Sequence, residues 1–485
     1  MTDGPTVAVI GGGVAGLTAG SYLARHGWSV KVFEAAPTPG GSSGDARADG
    51  FTFNDGAQYL LLPTMLDFVF SQLGVDRPRV LPLRPVHTSM SVVVDDGPPI
   101  SVGPGAQLSC GDPRINLALA ARELKRMIDT WHPLLRAYLD EDLWRGPFSF
   151  RRFLGRSWRY LPKFRRTLQA ELAALFTDPV FRSAVAGLLL FAGAHPHDLP
   201  APSIIALVSI LTDGLALPEG GMGRIPVALK QALQASGGEL FLDAQVRRIV
   251  LRDGRVRGVD VEGLGQLEAS YVLSTATALT TFKTLVPTEA QPRRLRNKVK
   301  ETPLSAKAFS IQLGLSNVIS TDSHLTHIVP SMERLDDYFS PPRDGVTWGY
   351  YSVPTVTLPE LAPEGGSVVE IYPAIRSDEP VEAWDEDRTR RLADAAIEWL
   401  SKRHHLDIAT RRIRSPRDFQ EQLRLPQGAI YGVSPAGGAQ ALFGHRSPIP
   451  GLFLAGQTTL PGFGVAPSAL SGIICAQTMM SNPRP

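Results

Sequence analysis

Cysteine is almost missing from this chain: among 485 residues there are two, Cys110 and Cys475. Two thiols so far apart make no C-x-x-C pair, no metal-ligand spacing and no disulfide framework, and the scarcity suits a reducing compartment. An excess of charge of one sign is missing too. Lys and Arg number 49 against 47 Asp and Glu, so the net charge of +2 gives no global pull toward nucleic acid, and any attraction to an anionic surface is local. Long apolar runs are also lacking. Ser183–Ala194 and Ala201–Leu211 fall short of the roughly 20 residues that span a bilayer, and His195, Pro196 and His197 interrupt them. The opening MTDGP carries no charged, apolar and cleavable succession, so no signal peptide is expected. The expectation is a cytoplasmic protein, soluble or peripheral at the inner membrane face. There are no repeats, no low-complexity tracts, no G-x-S-x-G and no second G-x-G-x-x-G. Serine hydrolase and two-nucleotide reductase readings therefore have no basis. Hydrophobic content of 43% with 20% charged residues fits a folded chain, and the length calls for about two or three domains.

The stretch around which the rest is arranged runs from Thr6 to Glu34. Five residues of buried-strand character, Thr6–Ile10, lead into Gly11-x-Gly13-x-x-Gly16; a helical pattern follows, then a strand, Ser29–Phe33, ending at Glu34. Gly11 permits a tight turn, Gly13 lets backbone approach a pyrophosphate, and Gly16 lets the helix pack closely on the strand. The helix N-terminus offers free N–H groups and partial positive charge to a diphosphate. Glu34 stands where a carboxylate accepts from a ribose 2′-OH and disfavours a 2′-phosphate, so FAD or NAD fits better than NADP. After Glu34 come Pro39-Gly40-Gly41-Ser42-Ser43-Gly44 and Gly50-Phe51-Thr52-Phe53-Asn54-Asp55-Gly56, a loop and short hairpin in place of the next helix and strand of a nicotinamide enzyme.

These segments resemble the FAD-binding start of the phytoene desaturase-like and amine oxidase-like flavoproteins. Ile449-Pro450-Gly451-Leu452-Phe453-Leu454-Ala455-Gly456-Gln457, then Pro461-Gly462-Phe463-Gly464-Val465 and an apolar helix, resembles the closing motif of the carotenoid desaturase and isomerase branch. Pro218-Glu219-Gly220-Gly221-Met222-Gly223, with a helix and Gly237-Gly238-Glu239 after it, matches the same branch. Two positions depart from the pattern. Ser42 follows the glycine pair where a basic residue is common, and the GGSSG run is closer to the isomerase and saturase relatives. Gln457 stands where many flavoproteins place an acid.

The resemblance implies FAD as cofactor and an α/β fold. A Rossmann-type FAD-binding domain, with a parallel sheet and G-x-G-x-x-G, is expected from 1–80, 218–283 and 415–485. An inserted α+β substrate domain with a helical lid part is expected from 81–217 and 284–414. The candidate cofactor-binding residues are Gly11, Gly13, Val14, Ala15, Gly16, Glu34, Ala35, Gly40, Gly41, Ser42, Gly56, Ala57, Val246, Gly456, Gln457, Gly464 and Val465. Val246 is carried over for a backbone contact to adenine. Val465 and Ala466, just before Pro467 begins the last helix, would aim N–H groups at the flavin's pyrimidine edge, stabilising charge on reduction. Asp253-Gly254 reads as a hairpin turn between Val246–Leu251 and Val256–Val261. Tyr271–Ser274 reads as a further buried strand.

The first insertion is mostly helical in pattern. Between Leu143 and Ala170 it carries Arg145, Arg151, Arg152, Arg156, Arg159, Lys163, Arg165 and Arg166 and no acid. Trp144, Phe148, Phe150, Phe153, Trp158, Tyr160 and Phe164 are interleaved with them. Such a stretch suits an anionic membrane surface; the alternative is a solvated basic face with its rings in the core. In the second insertion Ala308–Leu315 and Val368–Ile371 read as strands that floor a substrate cavity. Ser183–Ala194 and Ile204–Leu217 are candidates to line it, with plain core as the alternative. His324 and His327 are spaced like metal ligands but have no third partner in sequence, and no metal is expected. Lys307, at the start of a strand, is either a lysine near flavin N5 or a solvated strand end. Cys475, in an apolar helical pattern, reads as core packing rather than a covalent flavin link. No catalytic residue emerges.

The resemblance implies an FAD-dependent oxidoreductase that desaturates a lipophilic polyene- or polyketide-like substrate by hydride transfer to flavin N5. An allylic C–H needs no strong positioned base, because the developing charge is delocalised. Alternatives are a redox-neutral carotenoid-type isomerase or saturase using reduced FAD, an amine oxidase-type flavoenzyme of secondary metabolism, and a flavin-binding protein that presents lipid without turnover. The partners expected are a lipophilic small molecule and an anionic membrane surface, with no nucleic acid.

Overall fold

A computed structural model of the protein describes residues 4–87, 90–145 and 149–481. Thr6–Ile10 lies at the centre of a five-stranded parallel sheet in the order Glu239–Phe241, Ser29–Phe33, Thr6–Ile10, Tyr271–Ser274, Leu452–Leu454. The central strand is covered on both faces, and its unbroken apolar run VAVI reflects that. Segments from the beginning, the middle and the end of the chain thus build one Rossmann-type sheet.

The helix after the first strand, Val14–Arg25, packs between the helices Arg224–Ala235 and Val465–Met480. Its contact with the last helix is backbone to backbone: a Cβ added at Gly472 would stand 2.5 Å from the Ala15 carbonyl oxygen. The last helix begins at Val465, two residues before the expected Pro467, with Gly464 at its N-cap. Proline in a first turn is tolerated because the N–H it lacks has no partner within the helix.

A small antiparallel sheet, Val246–Arg252, Arg255–Val261 and Gly265–Glu268, sits beside this domain. Asp253 (φ 54°) and Gly254 (φ 71°) supply the two left-handed positions its first turn demands. Asp45–Ala48 and Phe51–Asn54 form the short hairpin read from the glycine spacing.

A second, eight-stranded sheet has the order Ile408–Arg414, Ser310–Leu315, Ser367–Pro373, Gly349–Ser352, Leu325–Val329, Met90–Val94, Ile100–Gly103, Gln107–Cys110. Its last three strands come from the region expected to be mostly helical, and Leu83–Val86 of that region pairs with Leu215–Pro218. Runs of four or five residues broken by Asp95-Asp96-Gly97-Pro98-Pro99 are too short for periodicity to separate strand from helix. Helices do follow: Leu117–Leu139, capped by the Asn116 side chain on the Leu119 N–H at 3.0 Å, then Leu168–Leu175, Pro179–Gly187 and Ile205–Thr212. Among the described residues no helix is long and apolar enough to cross a membrane.

Candidate functional site

The first and last helices end in a way that leaves donors free. Neither Gly13 nor Gly464, their N-cap residues, offers a side-chain cap, so first-turn N–H groups at Val14, Ala15 and Val465 have no side chain to satisfy them. A Cβ at Gly13 would meet only the Gly40 carbonyl oxygen, at 3.9 Å, whereas one at Gly16 would stand 2.0 Å from the Gly11 oxygen. Gly13 therefore keeps an open backbone face, and Gly16 closes the helix onto the turn. Gly472 lies seven residues beyond Val465, about 10 Å of helical rise, and it is Gly472 that meets Ala15. The two N-termini are consequently spread along a line, which suits the two ends of an extended dinucleotide better than one small anion.

The remaining cofactor candidates gather around this line. Glu34 accepts the Gly12 N–H on Oε2 at 2.7 Å and the Ala36 N–H on Oε1 at 2.9 Å. Its carboxylate is thereby fixed at the end of the second strand, with lone pairs to spare for a hydroxyl donor. Ala35 is exposed beside it, and buried Val246 follows the Asp243–Ala244 turn, whose N–H groups bond the Ala36 and Glu34 carbonyls at 3.1 and 2.8 Å. The Gly40 N–H reaches the Gly12 carbonyl at 3.0 Å, which sets Gly40, Gly41 and Ser42 against the first turn. The Ala57 N–H bonds the Ser42 carbonyl at 2.8 Å, and a Cβ at Gly56 would come within 2.8 Å of that oxygen. Gly456 is tied to the last helix through its N–H on Ser471 Oγ at 2.9 Å. The half-buried Gln457 amide makes no hydrogen bond among the described residues. Uncapped donors, a fixed acid, a free amide and an open glycine face are what a dinucleotide needs, so these residues fit FAD.

Sequence reading missed Thr275, whose hydroxyl donates to the Ile10 carbonyl at 2.8 Å and ties together the ends of two parallel neighbouring strands. Its only signal is its place just after the Tyr271–Ser274 strand.

Just before Gly56 the cofactor-side hairpin is bolted to the large sheet. Buried Glu370 accepts the Asn54 N–H at 2.9 Å and bonds Gln58 and Ser352 on its other oxygen, each at 3.3 Å. Asn54 Oδ1 accepts the Met222 N–H at 3.3 Å, and its carbonyl accepts from Gln312. Arg412 and Arg414 close the network on Asp55 at 3.2 and 3.3 Å. Burial raises the Glu370 carboxyl above the usual carboxylate range against the opposing pull of these hydrogen bonds.

Glu370 shares its sheet face with an aromatic row. In register across three strands lie His327, Tyr350 and Tyr372. Tyr350 stacks on Tyr372 at 4.9 Å with 7° between the rings, and on His327 at 5.1 Å. Alternation along strands puts Ser352 and Glu370 on this same face and gives the opposite one to Ile311, Leu313, Tyr351, Val369 and Ile371, which pack with Trp384 and Trp399. Tyr59, two residues after Ala57, Tyr338 and Tyr431 complete the group. Tyr431 stacks at 4.1 Å on Phe463, the neighbour of Gly464, and its hydroxyl donates to the Phe191 carbonyl at 2.6 Å. Burial pushes the Tyr350 hydroxyl well up, as do the neighbouring phenols of Tyr372, Tyr431, Tyr59 and Tyr338. Five of the chain's ten tyrosines thus lie near one another, Tyr59 two residues after Ala57 and Tyr431 on the neighbour of Gly464. None was singled out from sequence; they come from five separated segments, and no spacing signals them.

Other candidates fall elsewhere. His324 and His327 are buried, all four ring nitrogens lack hydrogen-bond partners among the described residues, and burial lowers both imidazoles to about 4. Among the described residues no group of three or more His, Cys, Asp or Glu is placed to hold a metal. Lys307 is not a solvated strand end: it is 9% exposed and its ammonium donates to the Glu379 carbonyl. Cys475 is fully buried in the last helix. In the basic stretch, Arg145 pairs with Glu141 and Arg156 with Asp140, both at 2.8 Å, while Lys163 and Arg166 converge on buried Glu171 at 2.5 and 2.8 Å. Arg151, Arg152, Arg159 and Arg165 stay exposed, next to Trp158 at 60% and Leu161 at 46% exposure, whereas Trp144 is buried. Phe148 and the Phe150 side chain lie outside the described residues. A pocket of about 660 Å³, open to solvent, is bordered by Met65, Phe68, Leu139, Trp144 and Arg156 beside this stretch.

Comparison with known proteins bears on the same residues. A family model described as flavin containing amine oxidoreductase matches residues 14–480. The chain is 24% identical over 506 residues to a zeta-carotene-forming phytoene desaturase of Myxococcus xanthus, covering 99% of this chain and 95% of that one. It is 27% identical over 518 residues to a chloroplastic prolycopene isomerase of Daucus carota, covering 98% of this chain and 80% of the relative. Among solved structures, an oxidoreductase from Methanosarcina mazei superposes with a TM-score of 0.65 at 15% identity, covering 98% of this chain and all of that one. A putrescine oxidase bound to putrescine superposes with a TM-score of 0.64 at 16% identity, covering 99% of both.

Proposed function

The chain belongs to the flavin-containing amine oxidoreductase family and is an FAD-dependent oxidoreductase, and we propose that it dehydrogenates an extended lipophilic substrate of the polyene or polyketide kind. The observation that carries the reading is the aromatic group that links the large sheet, through Tyr350 stacked on Tyr372, to the cofactor side, through Tyr431 stacked on Phe463 beside Gly464. FAD supplies the hydride acceptor when bound. The chain's own residues do the rest: Gly13 and the uncapped first helix receive the diphosphate, Glu34 the ribose, Val246 the adenine edge, and Gly464 with Val465 the far end of the cofactor. The sheet face of Tyr350 and Tyr372 orients the substrate and keeps water out. No side chain is assigned as base, in keeping with loss of hydrogen from an activated, allylic position.

The two large insertions, 81–217 and 284–414, form the substrate part in this proposal. An amine oxidase-type reaction is less well supported, because Tyr431 and Phe463 lie face to face at 4.1 Å and bracket no gap for an amine. A redox-neutral isomerase is the alternative that the GGSSG run and the isomerase relatives favour. Peripheral contact with an anionic membrane is proposed through Trp158 and Leu161, whose neighbours Arg151, Arg152, Arg159 and Arg165 have no ion pair among the described residues.

The test is an anaerobic titration of FAD-loaded protein in anionic liposomes with phytoene and, separately, with a partly saturated apocarotenal. Bleaching of the oxidised flavin with formation of a longer conjugated product supports dehydrogenation. If neither bleaches the flavin while prereduced protein converts prolycopene, the isomerase alternative takes its place.

A further inference from the structure

One surface of the cofactor domain carries charge that the fold does not use. The nine residues Arg293–Glu301, RRLRNKVKE, form a helix with five cations and one acid. Leu295 and Val299, four residues apart, are its buried side. They join a core with Ala8, Ile10, Phe33, Val272 and Leu454. This is the face of the parallel sheet opposite Val7 and Val9, which pack with the first helix. Helical geometry therefore turns Arg293, Arg294, Asn297, Lys300 and Glu301 outward, and all five are exposed. Lys283 is exposed in a segment that the Gln291 amide ties to the start of the helix, donating to the Phe282 and Val286 carbonyls at 2.5 and 3.0 Å. On the flanks Arg296 and Lys298 donate to the Gln291 and Leu442 carbonyls, both at 2.6 Å. None of these six cations has an ion pair among the described residues. The small sheet packed on the same core does pair its own, Arg247 with Glu262 at 2.6 Å and Arg248 with Asp260 at 3.0 Å.

This helix adjoins the cofactor segment. The Lys298 ammonium lies 4.6 Å over the Phe443 ring, and the Phe443 N–H bonds the carbonyl of Thr458, the residue after Gln457, at 2.8 Å. A body seated on Arg293, Arg294 and Lys300 therefore rests on the domain that holds the flavin. Between Lys283 and Glu301 no large apolar side chain is exposed. Unlike Trp158 and Leu161, this surface offers nothing to bury among acyl chains and no ring to stack on a base. Charge without an apolar anchor suits a brief encounter between proteins, steered by opposite charge over a small contact.

We propose that the helix Arg293–Glu301 docks an acidic electron-carrier protein that reoxidises the flavin, with Arg293, Arg294 and Lys300 facing carboxylates of the carrier. This rests on the dehydrogenase reading, under which each turnover leaves two electrons and two protons on the flavin. Two carrier molecules take one electron each, the two protons pass to water, and oxidised FAD is restored. Lys283 widens the positive face.

The experiment uses the FAD-loaded protein and the soluble haem domain of cytochrome b5, an acidic one-electron acceptor. Binding of the two oxidised proteins is measured by titration calorimetry. Haem reduction is followed after the flavin is reduced by light under argon, so that no substrate is needed. Wild-type protein is expected to bind the haem domain and to reduce two haems per flavin, with both affinity and rate falling roughly tenfold or more between about 20 and 200 mM salt. R293E/R294E/K300E is expected to lower both by roughly tenfold or more. Its FAD content, and its reoxidation by the small neutral quinone menadione, are expected to match wild type. R293K/R294K keeps the charge and is expected to behave as wild type. No binding by wild type, equal binding by the charge-reversed variant, or binding insensitive to salt overturns the proposal. Lost sedimentation of that variant with anionic vesicles, with cytochrome binding intact, also overturns it and assigns the helix to a membrane. Charge-dependent docking and haem reduction, with no polyene able to reduce the flavin, would sink the dehydrogenase reading and leave the docking assignment standing. Flavin reduction by a polyene without docking does the reverse.

Discussion

Glu370 accepts the backbone N–H of Asn54 at 2.9 Å across 316 residues of sequence, and through that bond the substrate sheet is registered against the cofactor-side hairpin. Burial raises the Glu370 carboxyl, so the folded chain holds its proton more tightly than the unfolded chain does. The stability this contributes is fully present below the ordinary carboxylate pKa and is lost as pH rises through the raised folded value. Glu370→Gln keeps an acceptor for Asn54 and abolishes the titration. Its melting temperature, followed against pH, is predicted to lack that decline. Glu370→Ala, which strands the Asn54 N–H, is predicted to lose about 3 kcal/mol in urea unfolding.

The contact of the first and last helices at Gly472, against the Ala15 carbonyl, leaves no room for a methyl group. Gly472→Ala is predicted to destabilise the protein by about 1–3 kcal/mol. Because the shift falls on the second residue of the first helix, FAD retained through gel filtration is predicted to drop as well. Full retention at wild-type stability would contradict the packing described.

Glu34 satisfies two backbone donors, Gly12 and Ala36, besides facing the proposed ribose position. Glu34→Ala removes both acceptors at once. FAD affinity, measured by flavin fluorescence, is predicted to fall roughly tenfold or more. Glu34→Gln, with one acceptor oxygen left, is predicted to fall between wild type and alanine.

His327 is neutral in the fold, lowered by burial from 6.5 to about 4. A base with a depressed pKa gives stability that is present above its ordinary pKa and is lost as pH falls toward the folded value. Thermal stability is therefore predicted to fall between pH 6.5 and about 4. His327→Phe, which keeps a ring beside Tyr350 and deletes nitrogens without a partner among the described residues, is predicted to flatten that fall. An identical acid profile in the variant would contradict a buried neutral imidazole.

Trp158 and Leu161 are predicted to carry any membrane contact. W158A/L161A should reduce sedimentation with anionic vesicles several-fold and leave FAD content unchanged. Equal sedimentation of wild type and variant would remove lipid from the proposal.

What was legible in the sequence was local. Gly11, Gly13, Gly16 and Glu34 belong to one strand–turn–helix–strand unit, and their chemistry is set by neighbours within thirty residues. The hairpin at Asp253-Gly254 was legible for the same reason. The tyrosine group was not, because Tyr59, Tyr338, Tyr350, Tyr372 and Tyr431 become neighbours only once the eight-stranded sheet closes on the Asn54–Gln58 segment. Met90–Val94 was read as part of a mostly helical region because its strand character depends on pairing with Leu325–Val329, far along the chain. The basic stretch was half legible. Its charges were visible, but the acids that neutralise Arg145, Arg156, Lys163 and Arg166 lie just outside it, at Glu141, Asp140 and Glu171.

The most direct measurement is the mass of the product formed in one anaerobic turnover of the FAD-loaded protein, read together with the flavin spectrum. The substrate would be whichever polyene bleaches the flavin most completely. A product two hydrogens lighter, formed in a one-to-one ratio with bleached flavin, is the predicted result. A product of unchanged mass, or one two hydrogens heavier formed from reduced flavin, would contradict dehydrogenation and assign the site to isomerisation or saturation.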